Sequence, residues 1–206
     1  MRRFLFFTGV LIAFAASAQV NPADSSVQVI GYWSKADKQT YSVVDSKYKV
    51  HGTDTTNRQE IKYNVDITVL DSTANSYTIE WLYKNFDVTG SDKFTKSLAS
   101  IFTDVKVVIK TDEMGAFTEV VNWKEVRDQI KKAFGEIKKQ YKDVPNIGTV
   151  LATAEASLTT KESIESTAIQ DIHQFYTFHG GKYILNSDVE TNLFRTEFPK
   201  YLLMSL

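Results

Sequence analysis

The sequence predicts an α+β domain in which a curved antiparallel β-sheet, a meander followed by a hairpin, carries three to four helices on one side. Three observations predict it. Adjacent stretches between residues 39 and 88 alternate apolar and polar side chains with period two, as half-buried strands do. Later stretches switch to helical spacing. The strand-helix-strand alternation of a doubly wound sheet is absent from the pattern.

Residues 19–38 are polar and turn-rich around an apolar island from Val27 to Trp33. The run from Gln39 to His51 is a strand whose phase slips between Tyr41, Val43 and Tyr48, Val50. Thr53, Asp54, Thr55, Thr56 and Asn57 read as a turn. From Glu60 to Leu70 the odd positions are Ile61, Tyr63, Val65, Ile67 and Val69, and the positions between them are polar. A cluster of turn formers, Asp71 to Ser76, leads into Tyr77, Ile79, Trp81 and Tyr83, so a hairpin is expected. The apolar phase then flips to Phe86 and Val88, which predicts a bulge or strand end near Asn85.

Phe94, Leu98, Ile101 and Phe102 share one face of a short helix within 91–102. Val105, Val107 and Ile109, the turn at Gly115, and Phe117 to Val121 form a second hairpin. A long helix follows. Asn122 with Glu125 three residues on resembles a capping box, and Trp123, Val126, Ile130, Phe134, Ile137 and Tyr141 keep one apolar stripe. Asp143-Val144-Pro145 ends it. Ile147 to Leu158 is Ala-rich and helical, and Thr159 with Glu162 is expected to cap a last helix striped by Ile164, Ala168, Ile169, Ile172, Phe175 and Tyr176. Gly180-Gly181 stops that helix, and a strand is expected from Tyr183 to Leu185.

The chain has 206 residues, 43% of them hydrophobic and 13% aromatic, which suits one domain with a real core. Its first eighteen residues read as a secretory signal. Arg2 and Arg3 precede a mostly apolar run from Phe4 to Ala15, and Ala16-Ser17-Ala18 offers a small-residue cleavage site. Twelve residues at 1.5 Å each span about 18 Å, short of the ~30 Å hydrocarbon core, so a membrane anchor is the poorer reading. Cleavage would leave residues 19–206 as a single domain and move the formal charge from −1 to −3. That balance gives no electrostatic case for nucleic acid. With no cysteine there can be no disulfide, thiolate metal site or lipidated cysteine. A soluble periplasmic or extracellular protein without a transmembrane segment is expected. Residues 188–206 end in the apolar stretch 201–206, read as a terminal strand or docked tail, or as a domain left incomplete.

No nucleophile elbow, metalloprotease motif, phosphate-binding glycine loop or calcium loop is present. No cofactor or metal is implied, and no catalytic residue is assigned. His173 and His179 lie about 240° apart round a helix and make a poor metal pair. A polar or capping role is expected for each histidine, with His51 at a strand end. The basic residues of 124–142 could lie on an anionic membrane, but their interspersed acids favour a solvated helix packed on the sheet. The density of aromatics on the strands is the one feature that suggests a ligand. Tyr63, Tyr77, Trp81, Tyr83 and Phe86 are the candidate ligand-binding residues if the helices leave a groove, and core residues if they do not.

Tyr32-Trp33-Ser34-Lys35-Ala36-Asp37 followed by Tyr41 resembles the start of a group of uncharacterised exported proteins of Gram-negative bacteria. These open their mature part with a Trp-x-Lys-Gly-Asp-like stretch before a β-meander, and here Ala36 replaces the glycine. The resemblance extends through Asp71 and Trp81, Val121-Asn122-Trp123 and Phe175 to Gly180. It implies a longer protein with further strands, and no activity or site comes with it. The function expected is a non-enzymatic exported binding module for an apolar small ligand or an envelope protein. The alternatives are an envelope-directed hydrolase using a carboxylate such as Asp66 or Glu80 with His51, or a structural protein of the periplasm.

Overall fold

A computed structural model describes residues 20–185. The segment 1–18, expected to be a secretory signal, and the 188–206 tail lie outside those residues. The centre of the fold is a five-stranded antiparallel meander in sequence order: β3 (Lys38–His51), β4 (Asp54–Ser72), β5 (Ser76–Thr89), β6 (Lys106–Asp112) and β7 (Phe117–Val120). This is the α+β architecture that the alternation predicts. The odd positions from Tyr63 to Val69 in β4 and from Tyr77 to Tyr83 in β5 are buried as expected, Ile61 is half-buried, and Val105, just before β6, with Val107 and Ile109 in it continues the same apolar face.

The predicted phase flip in β5 is a bulge. Lys62 pairs with Asp87 and Asn64 with Lys84, so β5 carries one extra residue, and Asn85 takes up a left-handed φ of 56° there. The β3 slip has a different origin. The extra residue sits on β4, opposite Tyr48, between the pairs Lys47–Gln59 and Lys49–Thr56. The expected turn over Thr53–Asn57 is also corrected. The chain reverses through Gly52-Thr53 alone, Gly52 having a φ of 63°, and β4 already begins at Asp54. β3 and the start of β4 therefore run on past β5, which stops pairing at Thr89 opposite Glu60, as a two-stranded ribbon.

Helices cover one face. Asp92 caps α1 (Lys93–Ala99) by accepting from Thr95 N–H at 2.8 Å, and a 3₁₀ turn, Ser100–Phe102, follows. The long helix α2 (Trp123–Gln140) buries Val126, Ile130, Phe134 and Ile137. Its start is not the expected capping box. The Asn122 side chain makes no cap; its Oδ1 accepts from Val108 N–H at 2.8 Å and its Nδ2 donates to the Lys106 carbonyl at 2.9 Å. Asn122 thus extends the β6–β7 pairing by one side chain, because β6 outruns β7 and its free backbone groups need partners.

α3 (Ile147–Ala156) follows the turn after Asp143. The next cap also shifts by one residue. Thr160 and Ser163, rather than Thr159 and Glu162, form a reciprocal capping box on α4 (Lys161–Ser163). The helix continues through a π-type turn, Ile164–Ala168, breaks at Ile169, and resumes as α5 (Gln170–Tyr176). Ile164, Ile169, Ile172 and Tyr176 are buried.

A second, three-stranded sheet adds to the expected one. β1 (Val20–Asn21) and β8 (Lys182–Ile184) flank β2 (Ser26–Gln28), which lies in the segment read as turn-rich. From β2 the chain crosses to the main sheet, where Gly31 N–H donates to the Met114 carbonyl and Ala36 N–H to that of Val69. This crossing places Trp33 edge-on to Tyr77 and Tyr176, with ring centroids 5.1 and 5.7 Å away. Among the described residues no helix is long and apolar enough to cross a membrane.

Candidate functional site

The five predicted aromatic residues all lie on the helix-covered face. Tyr63, Tyr77, Trp81 and Tyr83 are buried and Phe86 is half-buried. The fold brings three of them into one cluster. Phe86 stacks on Tyr63 at 4.7 Å and 12°, made possible by the bulge that turns Phe86 to this face, and Tyr83 lies 5.8 Å from Tyr63. Trp81 adjoins Tyr83 at 6.5 Å and donates its indole N–H to the Tyr176 hydroxyl at 3.3 Å. Tyr77 stands apart against Trp33.

Sequence reasoning missed the group that organises this cluster, Asp171. The Tyr63 hydroxyl donates to its Oδ2 and the Tyr83 hydroxyl to its Oδ1, both at 2.9 Å, and Ile172 N–H adds a third bond to Oδ1 at 2.9 Å. Desolvation raises the carboxyl above its ordinary range, against the lowering effect of these donors. Burial, with the nearby Asp171 charge, pushes both tyrosine hydroxyls far up. A signal for Asp171 exists in the sequence. It falls seven residues after Ile164 and four before Phe175, on the apolar stripe, where a carboxylate needs partners.

A small cavity of about 60 Å³ opens beside this core, lined by Trp33, Gln39, Tyr41, Phe175, Tyr176 and neighbouring sheet residues. Ligand pockets for drug-sized molecules run to roughly 300–1,000 Å³. The aromatic face is thus largely filled by helix side chains, with Phe175 edge-on to Trp81 at 5.4 Å and to Tyr41 at 5.2 Å.

The three residues of the hydrolase alternative do not meet. Asp66 and Glu80 lie on the opposite, solvent-facing side of the sheet, paired with Lys84 at 2.6 Å and Lys106 at 3.0 Å. The Lys84 ammonium and the Thr40 hydroxyl hold Asp66 below its usual value, the wrong direction for a general acid. His51 ends β3, eleven residues along the strand from Thr40, the residue opposite Asp66, or about 36 Å. His173 has the expected polar role, its Nε2 lying 2.7 Å from the Glu165 carbonyl. His179 does not: its Nδ1 is buried without a partner, its ring packs against Trp33 at 5.3 Å, and desolvation lowers its pKa. No group of three or more metal-ligating side chains gathers among the described residues.

The two edges of the main sheet differ. β7 has four residues, and Glu165 Oε1 accepts from its Val120 N–H at 2.7 Å. β3 has fourteen residues and, among the described residues, pairs with β4 alone. Val44, Tyr48 and Val50 on it are 54%, 59% and 62% exposed. Comparison with known proteins found no matching family model, no matching curated protein and no matching solved structure.

Proposed function

We propose that the chain is a non-enzymatic binding module, exported by its N-terminal segment to the periplasm or beyond, that takes a protein partner of the envelope along the edge of β3. The observation that carries this reading is the long β3 edge. It presents a row of backbone donors and acceptors beside exposed Val44, Tyr48 and Val50, the arrangement by which a sheet accepts an added strand. The filled aromatic face counts against an apolar small ligand at the five predicted aromatic residues, where the cavity is about 60 Å³.

A photo-crosslinking residue placed at Ser46 tests the proposal in intact cells. Adducts at Ser46, with none from the same residue placed at Lys132 on the solvent face of α2, are expected. Equal labelling at both positions, or none, refutes it.

A further inference from the structure

We propose that the solvent face of α2 is a docking surface for an anionic phospholipid bilayer. This goes beyond the β3 edge and stands on a separate observation, the way charge is divided over the chain. Residues 123–142 hold seven basic and three acidic side chains, a net +4 in a chain whose formal net charge is −1, so the remaining residues carry −5. Such a division of charge marks a face built for an anionic partner.

The fold turns those cations outward. Val126, Ile130, Phe134 and Ile137 fix α2 in the core by its apolar stripe, and Lys124, Lys131, Lys132, Lys138 and Lys139 are all exposed. Lys124, Lys131 and Lys138 recur every seven residues, so they drift only about 20° per step and form one line, with about 10.5 Å between successive positions. Lys132 and Lys139 run beside it. The interspersed acids do not cancel this charge. Asp128 is held by Arg127 at 2.8 Å and Glu136 by Lys139 at 3.0 Å. That leaves exposed Glu125 against Lys124, Lys131, Lys132 and Lys138, none of which makes an ion pair among the described residues.

Two features favour a bilayer over a nucleic acid or an acidic protein. Exposed apolar side chains flank the basic face, Val121 just before α2 and Val144 shortly after it, and Lys124 and Arg127 lie over the half-buried Trp123 ring, 5.7 and 5.4 Å from its centre. Lysines beside a tryptophan and apolar anchors suit a membrane interface, where the ring sits at headgroup level and the ammonium groups meet lipid phosphates. The surface field of a bilayer also falls off within a Debye length, about 8 Å at physiological salt, so it acts on the face turned toward it. The acidic remainder of the chain then orients α2 to the lipid and does not oppose the contact. Secretion, expected from residues 1–18, would carry the chain to such surfaces and away from nucleic acid.

Vesicle flotation of the purified protein tests this. Binding is expected to vesicles of equal parts phosphatidylglycerol and phosphatidylcholine, not to phosphatidylcholine alone, and should vanish at about 1 M salt, where the Debye length is about 3 Å. Each lysine at an anionic surface is worth about fivefold in partition, so Lys131→Gln with Lys132→Gln should weaken binding about twentyfold, and Glu125→Lys should strengthen it about fivefold or more. Lys38→Gln with Lys110→Gln removes the same charge from the opposite face of the sheet, where these residues stand across from Thr68 and Thr78, and should leave binding unchanged. No binding to the anionic vesicles at low salt overturns the proposal, and so does an equal loss from both pairs of substitutions. Retention on heparin or duplex DNA without vesicle binding also overturns it, and assigns the face to another polyanion.

Discussion

The Tyr83 hydroxyl and Asp171 Oδ1 lie 2.9 Å apart although 88 residues separate them in the chain. With the matching bond from Tyr63, this ties α5 to two strands of the sheet through one carboxyl. Tyr83→Phe keeps the ring and removes the donor, leaving a desolvated oxygen with the Ile172 N–H alone. A loss of about 1–3 kcal/mol is expected in urea unfolding. Tyr63→Phe should cost a similar amount, and the double variant should depart from additivity because both hydroxyls serve one group.

Alkaline stability follows from the same burial. Tyr63, Tyr83 and Tyr176 all have hydroxyls raised above the ordinary value of 10.0 in the fold. A raised acid keeps its proton in the folded state, so this contribution is whole below pH 10 and is lost as pH climbs beyond it. Phenolate absorbance from these three residues should therefore appear together with loss of circular dichroism. Their ionisation in a still-folded protein would contradict this.

His179 works in the opposite range. Desolvation among Trp33, Phe175 and Tyr176 lowers its folded pKa below the unfolded 6.5. The unfolded chain then binds the proton more readily, so stability is whole above pH 6.5 and falls as pH drops through that value toward the folded pKa. The melting temperature of the wild type, compared with His179→Gln between about pH 7 and pH 5, should show the extra acid slope in the wild type only.

Asn122 separates a cap from a clamp. If it capped α2, Asn122→Asp would be neutral or better, since Asp is an equally good cap. Because its Nδ2 donates to the Lys106 carbonyl, a carboxylate there loses the bond and faces an acceptor. Asn122→Asp is expected to cost about 1–3 kcal/mol, and Glu125→Ala almost nothing, in chemical unfolding.

Gly52 and Gly90 both have left-handed φ, 63° and 73°, but different surroundings. A Cβ at Gly52 meets nothing within 4 Å, whereas at Gly90 it would lie 2.2 Å from the Arg58 carbonyl oxygen, which is backbone. Gly52→Ala should cost only the strain of the conformation, about 1–2 kcal/mol. Gly90→Ala should cost clearly more in the same thermal melt, since β4 itself must move.

The sequence by itself determined what periodicity can encode. Alternation through Tyr63, Val65 and Ile67 specifies strands and a buried face, and the flip at Phe86 specifies a bulge or strand end there. The stripe from Val126 to Ile137 specifies α2. Each of these signals lies within one short stretch, because a strand or helix chooses its buried side residue by residue. Tertiary structure decided the rest. Val27 pairs with Tyr183, and Trp33 meets Tyr176 across the sheet end. Asn122 turns from its own helix to serve β6, and Asp171 gathers the hydroxyls of Tyr63 and Tyr83. The five aromatics were legible as one apolar face, but whether that face is a groove or a core depends on the helix laid over it. Such pairings are set by backbone groups and desolvated atoms that find partners only once distant segments are packed together. Among the described residues, the same packing leaves β3 paired on one side only.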